Sequence, residues 1–394
     1  MVEWLALLGA FTGALLLSLS LAPVMIRLAF RFDILDHPGY HKTHKHVHPL
    51  LGGGAIFAAF MTMVAFGVAL LIFAKLGKLS FFPEAQRHLI SQFNVFVHVL
   101  PQFIGFIVSA AMMFILGLVD DIRGVGFSYK WKFAVQTVAA AIVVASGIHV
   151  DFLPHPLLDM AVTMLWIIGI TNSFNLLDNM DGLSSGVATI VSLILAALTI
   201  RQGQYFSALI FLILAGSTLG FLRYNFNPSK IFMGDAGSLF LGFMIATLTV
   251  SNSYVTPQSV SQLPVIVPIL VLGVPLFDTF SVMMIRWQEN RPLFVGDTCH
   301  FSHRLIKLGM SVRQTVIFIY LVTLCVGVSA ILIPELNLLE CMLVVMQEAL
   351  IFGLITLLMV KGNRLHVLHQ SLKTDLEQLR AIGSQSGNGK VGIE

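Results

Sequence analysis

Apolar stretches long enough to cross a lipid bilayer recur from one end of this 394-residue chain to the other. A helix needs ~20 such residues to span the hydrocarbon core, and no soluble core calls for a succession of them. Residue usage agrees, with 57% hydrophobic and 11% charged, where a soluble domain carries about 25% charged residues. Lipid, not water, is the main solvent of this chain. Eleven spans are predicted, at 4–30, 50–73, 99–119, 133–147, 157–170, 183–200, 205–221, 231–250, 263–285, 316–333 and 338–360. The first is too long for a signal-peptide core and lacks both a preceding charged region and a small-residue cleavage site, so it reads as a retained span. The expected fold class is an all-α polytopic membrane protein, with a transmembrane domain over residues 1–360 and a partly disordered tail over 361–394.

Lysine and arginine accumulate in cytoplasmic loops. Of the 23 present, 19 fall in or beside the loops that follow odd-numbered spans or in the tail, leaving Lys75, Lys78, Arg87 and Arg201 for the opposite side. The N-terminus is therefore expected outside and the C-terminus in the cytoplasm. Shifting any one span would reassign every later loop and blur this asymmetry. Cys299, Cys325 and Cys341 have no metal-ligand spacing, so cysteine chemistry is not expected.

Carboxylates and histidines concentrate in five loops or loop edges, all on the side the charges place inside. The first carries Lys42 and His44 among further histidines, then Gly52 and Gly53. A solvated basic loop is the plain reading, but cations beside glycines that admit a close ligand suit a phosphate. The second begins with Asp120 and Asp121, adjacent carboxylates at a membrane boundary. Such a pair repels and is costly to desolvate, so it invites a cation. Hard Mg²⁺ takes a few carboxylates plus substrate phosphate oxygens, and this is such a provision.

In the third loop Asn172, Asn175, Asp178 and Asp181 recur every three residues and Gly182 follows. On a helical turn that spacing gathers them on one side. In the fourth, Asp235 stands in the run Met233-Gly234-Asp235-Ala236-Gly237-Ser238, just inside an apolar span, where an unpaired charge is costly. A cation explains it, and the helix start favours a phosphate nearby. The fifth holds Arg291, Asp297, His300, His303 and Arg304, types suited to gripping a pyrophosphate.

With these residues in this order, the chain resembles the polyprenyl-phosphate N-acetylhexosamine-1-phosphate transferases, and within them the bacterial undecaprenyl-phosphate N-acetylglucosamine-1-phosphate transferases. The resemblance runs from about Asp33 to Leu308, and the family's eleven-span, N-outside arrangement agrees with the topology counted from charge. It implies a catalytic set of Asp120, Asp121, Asp178, Asp181, His300 and His303. It further implies a substrate-binding set of Lys42, His44, Asn172, Asn175, Gly182, Arg291, Asp297 and Arg304, and metal binding by Asp235 with Asp120 and Asp121. Three positions depart from the family's pattern: His41 where arginine is usual, Asn179 where glycine is frequent, and Ser302 where histidine is frequent. These departures bear on nucleotide or sugar preference rather than on reaction type. The muramyl-pentapeptide branch carries a longer histidine run and a threonine-rich first-loop motif, and neither is present.

The reaction expected from the resemblance is transfer of GlcNAc-1-phosphate from UDP-GlcNAc to undecaprenyl phosphate, giving undecaprenyl-diphosphate-GlcNAc and UMP and starting a cell-envelope glycan such as an O-antigen. The expected cofactor is Mg²⁺, with Mn²⁺ as a substitute, and the site faces the cytoplasm from a bacterial inner membrane. Partners are the two substrates and the bilayer, with no nucleic acid, and a homodimer is admitted. The alternatives are another UDP-HexNAc donor, a transporter, or a non-catalytic scaffold. Transporters place ionisable groups near the bilayer midplane. Here the acids gather at one face, and Asp278 is read as the only one embedded in a span.

Overall fold

The computed structural model of the chain describes residues 2–36, 47–78, 83–124, 128–254, 263–291 and 299–361. In chain order the helices are α1 (Val2–Arg31), α2 (Gly52–Lys75), α3 (Pro83–His98), α4 (Leu100–Arg123), α5 (Tyr129–Ala145), α6 (Pro156–Leu177) and α7 (Leu183–Arg201). There follow α8 (Tyr205–Asn225), α9 (Gly234–Ser251), α10 (Val267–Val271), α11 (Gly273–Gln288), α12 (Phe301–Lys307), α13 (Val312–Leu332) and α14 (Leu338–Lys361). Two short strands, β1 (Leu35–Asp36) and β2 (His48–Pro49), pair antiparallel after α1.

Among the described residues nine helices are long and apolar enough to cross a membrane, namely α1, α2, α4, α6, α7, α8, α9, α13 and α14. The chain is thus an all-α polytopic membrane protein. The other two predicted spans take different forms. Segment 133–147 overlaps α5 as far as Ala145, and the 17 residues of that helix rise ~26 Å at 1.5 Å each. Segment 263–285 is broken into a 3₁₀ turn over Leu263–Ile266, then α10 and α11. Pro268 and Pro275 each remove a backbone donor there, which loosens a continuous helix. Helix α3 was not expected, because its polar and apolar residues alternate by helix face rather than forming an apolar run. Asp278 is also not the only embedded acid: Glu348 lies buried in the middle of α14, 5% exposed.

Helix α9 is the axis of the bundle, gripped by α4 on one side and α6 on the other, while α1 and α7 lie along α8. Every residue from Ala236 to Thr249 is buried, which is what a helix apolar on all sides is suited to. Small residues set how near its neighbours come. A Cβ on Gly117 of α4 would lie 2.2 Å from the carbonyl oxygen of Asp235, and one on Gly53 of α2 would lie 2.2 Å from the backbone nitrogen of Gly237. Backbone therefore meets backbone at the start of α9, as small residues allow between membrane helices.

The described part of the first loop is fastened to the same place. Pro49 O accepts from Phe232 N at 2.9 Å, while Gly52 N and Gly53 N donate to Phe232 O and Met233 O at 3.0 and 2.8 Å. His48 stacks on Phe232 with ring centroids 4.5 Å apart. Residues far apart in sequence thus converge on the turn that opens α9.

Candidate active site

Four helix ends build the centre of the site. Asp120 closes α4, Lys132 opens α5, Asn175 lies in the last turn of α6, and Asp235 lies in the first turn of α9. Lys132 Nζ sits between two carboxylates, 2.5 Å from Asp120 Oδ2 and 2.6 Å from Asp235 Oδ2. The other Asp235 oxygen, Oδ1, accepts from Asn175 Nδ2 at 3.0 Å, and the same amide nitrogen donates to Ser238 Oγ at 2.9 Å. These groups are half-buried, so their charges act on one another with less screening than in water. In the sequence Lys132 is one of many positive charges on the predicted cytoplasmic side. A lysine on the cytoplasmic flank directly before the predicted span 133–147 carries no signal that sets it apart.

Asp121 does something different from its neighbour. Its Oδ1 accepts from Asp235 N at 2.8 Å and its Oδ2 from Ala236 N at 3.0 Å. The first N–H groups of a helix have no intrahelical acceptor, and a carboxylate placed there is favoured by the helix dipole. Asp121 thus caps α9 from another helix and ties the acidic pair to Asp235. Gly234, with φ +71°, makes the turn that exposes those N–H groups.

The three-residue spacing of the third loop works out as one side of a helix end, with a division of labour. Asn172 exchanges hydrogen bonds with Gln136, one turn along α5 from Lys132, at 2.7 and 3.3 Å. Asn175 reaches Asp235, and Asp178, the residue that ends α6, faces both Asp235 and Asp181 electrostatically. Burial, reinforced by the charges of Asp235 and Asp181, pushes the Asp178 carboxyl up to about 8. Asp181 turns onto the fourth loop, where its Oδ2 accepts from Asn227 Nδ2 at 2.9 Å and from Ser229 N at 3.1 Å. Gly182, at φ +76°, opens α7, and its N–H donates to the buried Asn225 Oδ1 at 3.1 Å.

A folded-state value raised from 3.8 to about 8 means that the native protein binds the proton more tightly than the unfolded chain. Stability at this group is therefore greatest below about pH 4 and declines as pH rises toward 8. Asp178→Asn should flatten that decline. Melting curves of ion-free protein at pH 5 and pH 8 check this, and a wild type whose pH dependence survives the substitution counts against it.

The fifth loop joins through α12. Asp278 on α11 holds its start, Oδ2 at 2.9 Å from His300 Nδ1 and Oδ1 accepting from Phe301 N at 2.6 Å. Both Asp278 and His300 are buried, and a carboxylate on one ring nitrogen orients the imidazole and leaves Nε2 for another partner. Arg304 Nη2 donates to Ser281 Oγ at 2.5 Å, and the His303 ring lies 6.0 Å from that of His300. Ser302 Oγ donates to Asn179 Oδ1 at 2.5 Å. The two family departures in the third and fifth loops therefore touch each other and latch α12 to the end of α6. Arg291 is half exposed and pairs with Glu289 at 3.0 Å on its own turn. Lys42, His44 and Asp297 lie outside the described residues.

Asp278 was read from sequence only as an embedded acid, because its partners lie 22 and 23 residues away. Since it orients His300 and caps α12, Asp278→Asn should lower activity by about 10–100-fold, the scale of a lost orienting carboxylate. It should also shift the pH profile of the rate. A uniformly scaled profile of unchanged shape counts against the orienting role.

The carboxylates that face Asp235 include those of Asp120 and Asp178. Among the described residues no three histidine, cysteine or carboxylate side chains enclose an ion by themselves. Carboxylate oxygens are the donor type Mg²⁺ takes, since it uses one or two of them and fills its shell with water and substrate phosphate oxygens.

Residues 103–253 match the family model described as glycosyl transferase family 4. The chain is 34% identical over 336 residues to a probable undecaprenyl-phosphate N-acetylglucosaminyl 1-phosphate transferase of Bacillus subtilis, covering 83% of this chain and 84% of that protein. It is 29% identical to a decaprenyl-phosphate N-acetylglucosaminephosphotransferase of Mycobacterium tuberculosis over 80% of this chain and 79% of that one. A phospho-N-acetylmuramoyl-pentapeptide-transferase of Chlamydia trachomatis is 39% identical over a shorter stretch, 32% of this chain and 44% of its own.

Proposed function

Since this chain belongs to the polyprenyl-phosphate N-acetylhexosamine-1-phosphate transferases, we propose that it transfers GlcNAc-1-phosphate from UDP-GlcNAc to undecaprenyl phosphate. The products are undecaprenyl-diphosphate-GlcNAc and UMP, and the lipid-linked sugar starts a cell-envelope glycan. The observation that carries this reading is the convergence of Asp120, Lys132, Asn175 and Asp235 from four helices at one end of the bundle. The proposal includes the sidedness read from lysine and arginine, in which that end faces the cytoplasm from a bacterial inner membrane, with eleven passes and the N-terminus outside.

In the reaction an oxygen of the lipid phosphate attacks the phosphorus that bears the sugar. A new phosphorus–oxygen bond forms, the bond to the uridylyl phosphate breaks, and UMP carries the electron pair away. Phosphoryl transfer asks little covalent work of a protein, so positioning and charge neutralisation provide most of the rate. Asp235 and Asp120, with Asp178 beside them, would hold Mg²⁺, which would supply positive charge to the diphosphate of the donor. Asn175 fixes the Asp235 carboxylate, and Asp121 fixes the backbone beneath it. Lys132, Arg304 and His300, the last steadied by Asp278, offer donors to phosphate oxygens as charge moves to the leaving group.

Release of UMP and transfer of sugar label into the lipid phase, from purified protein given UDP-GlcNAc and undecaprenyl phosphate, test the proposal. A panel of UDP-sugars separates GlcNAc from related donors. Absence of transfer with every donor, in protein that stays folded, would overturn it.

A further inference from the structure

Lys132 stands at an unusual place for a cation in a site that takes a second one. Its Nζ is within ion-pair distance of Asp120 Oδ2 and Asp235 Oδ2 together, at 2.5 and 2.6 Å. It therefore contacts both carboxylates at once, on the oxygens a divalent ion would take. A divalent ion on these oxygens sits at ~2.0–2.1 Å from them, so it and the ammonium would lie only a few ångströms apart. Two like charges that close repel strongly in a half-buried setting.

The surrounding groups decide which partner yields. Asp121 cannot swing over to help, since the N–H groups of Asp235 and Ala236 hold both its oxygens. Asp235 cannot turn away, since Asn175 holds its Oδ1. Lysine is a point charge on a flexible four-carbon stem, and it is the mobile member of the set. We propose that Lys132 and the divalent cation compete for the Asp120–Asp235 pair, so that cation binding expels the Lys132 ammonium and frees it to meet a substrate phosphate. This rests on the proposed function, since it takes the divalent ion to bind at Asp235. Its consequence is a coupling, in which the wild-type site binds the ion more weakly than its carboxylates allow, and the deficit is returned when the freed ammonium finds the diphosphate. Affinity for a ligand falls in proportion to the fraction of molecules able to receive it.

The probe is Mn²⁺ binding to the full-length protein in detergent, followed by the loss of the free-ion electron paramagnetic resonance signal. If the ammonium holds the pair about nine-tenths of the time, Lys132→Gln should bind Mn²⁺ about tenfold more tightly than wild type. Lys132→Gln affinity equal to or weaker than wild type would overturn the competition. A measurement on the unaltered protein covers a variant that fails to fold. Mg²⁺ should raise the rate at which Lys132 reacts with a soluble amine-acylating reagent, read by peptide mass spectrometry, and a rate that stays level or falls would overturn the proposal. Asp235→Asn separates the two levels of the argument. If that substitution removes Mn²⁺ binding while Lys132→Gln leaves it unimproved, the competition fails and the assignment of the ion to Asp235 survives. If binding persists unchanged in Asp235→Asn, both fall.

Discussion

Asp235→Asn is expected to lower turnover by a factor on the order of 10²–10³ or more, the cost of removing a principal electrostatic group from a reacting centre. The substitution keeps the side chain's size, so packing at the buried start of α9 survives. What it removes is the negative charge on which Lys132 and Asn175 converge, at 2.6 and 3.0 Å. Asp121 still caps α9 through the backbone of Asp235 and Ala236, so the helix start stays in place. The measurement is the initial rate of UMP release at saturating substrates with Mg²⁺, beside a melting curve. Full magnesium-dependent activity in a folded Asp235→Asn protein would refute the role given to this aspartate.

Gly117→Ala should damage both stability and activity although it adds a single methyl group. That carbon would lie 2.2 Å from the Asp235 carbonyl oxygen, 2.3 Å from its carbonyl carbon and 2.4 Å from Ala236 N. Backbone cannot rotate aside as a side-chain tip can, so α4 must withdraw from α9. Overpacking of this kind costs ~1–3 kcal/mol. The withdrawal also stretches the two bonds from Asp121, and hydrogen bonds to a charged group are worth ~1.5–3 kcal/mol each. A loss of at least ~3 kcal/mol is expected, seen as a lowered melting temperature with activity reduced in parallel. Gly9→Ala and Gly67→Ala are the controls, since an added carbon meets nothing within 4 Å at either place. Equal melting temperatures for Gly117→Ala and the controls would refute the close packing.

Several features of the site were legible in residue order because local chemistry forces them. A carboxylate just inside an apolar span, as Asp235 is, demands a partner wherever the helix goes, and the structure supplies Lys132 and Asn175. The three-residue period from Asn172 to Asp178 translates into one helix face by geometry alone. Partner identity had no such local source. Asp120 and Asp121 look equivalent in sequence, yet one meets Lys132 and the other caps α9. Adjacent residues on a helix point about 100° apart, so their roles depend on which neighbours stand at each bearing. The pairing of Asn179 with Ser302 spans 123 positions and follows from where α12 docks.

By itself the sequence determined the solvent, because a chain with so many long apolar runs can satisfy its backbone in lipid only as a bundle of helices. It also determined where the polar side chains gather, because charged and amide groups are costly in hydrocarbon and collect where the helices emerge. Tertiary structure alone decided that Lys132 bridges two aspartates, that Asp121 serves a neighbouring helix, and that Asp278 steadies His300. Those assignments are distances of a few ångströms between separate helices. They depend on how closely backbones approach at Gly53 and Gly117, a quantity that no single segment contains.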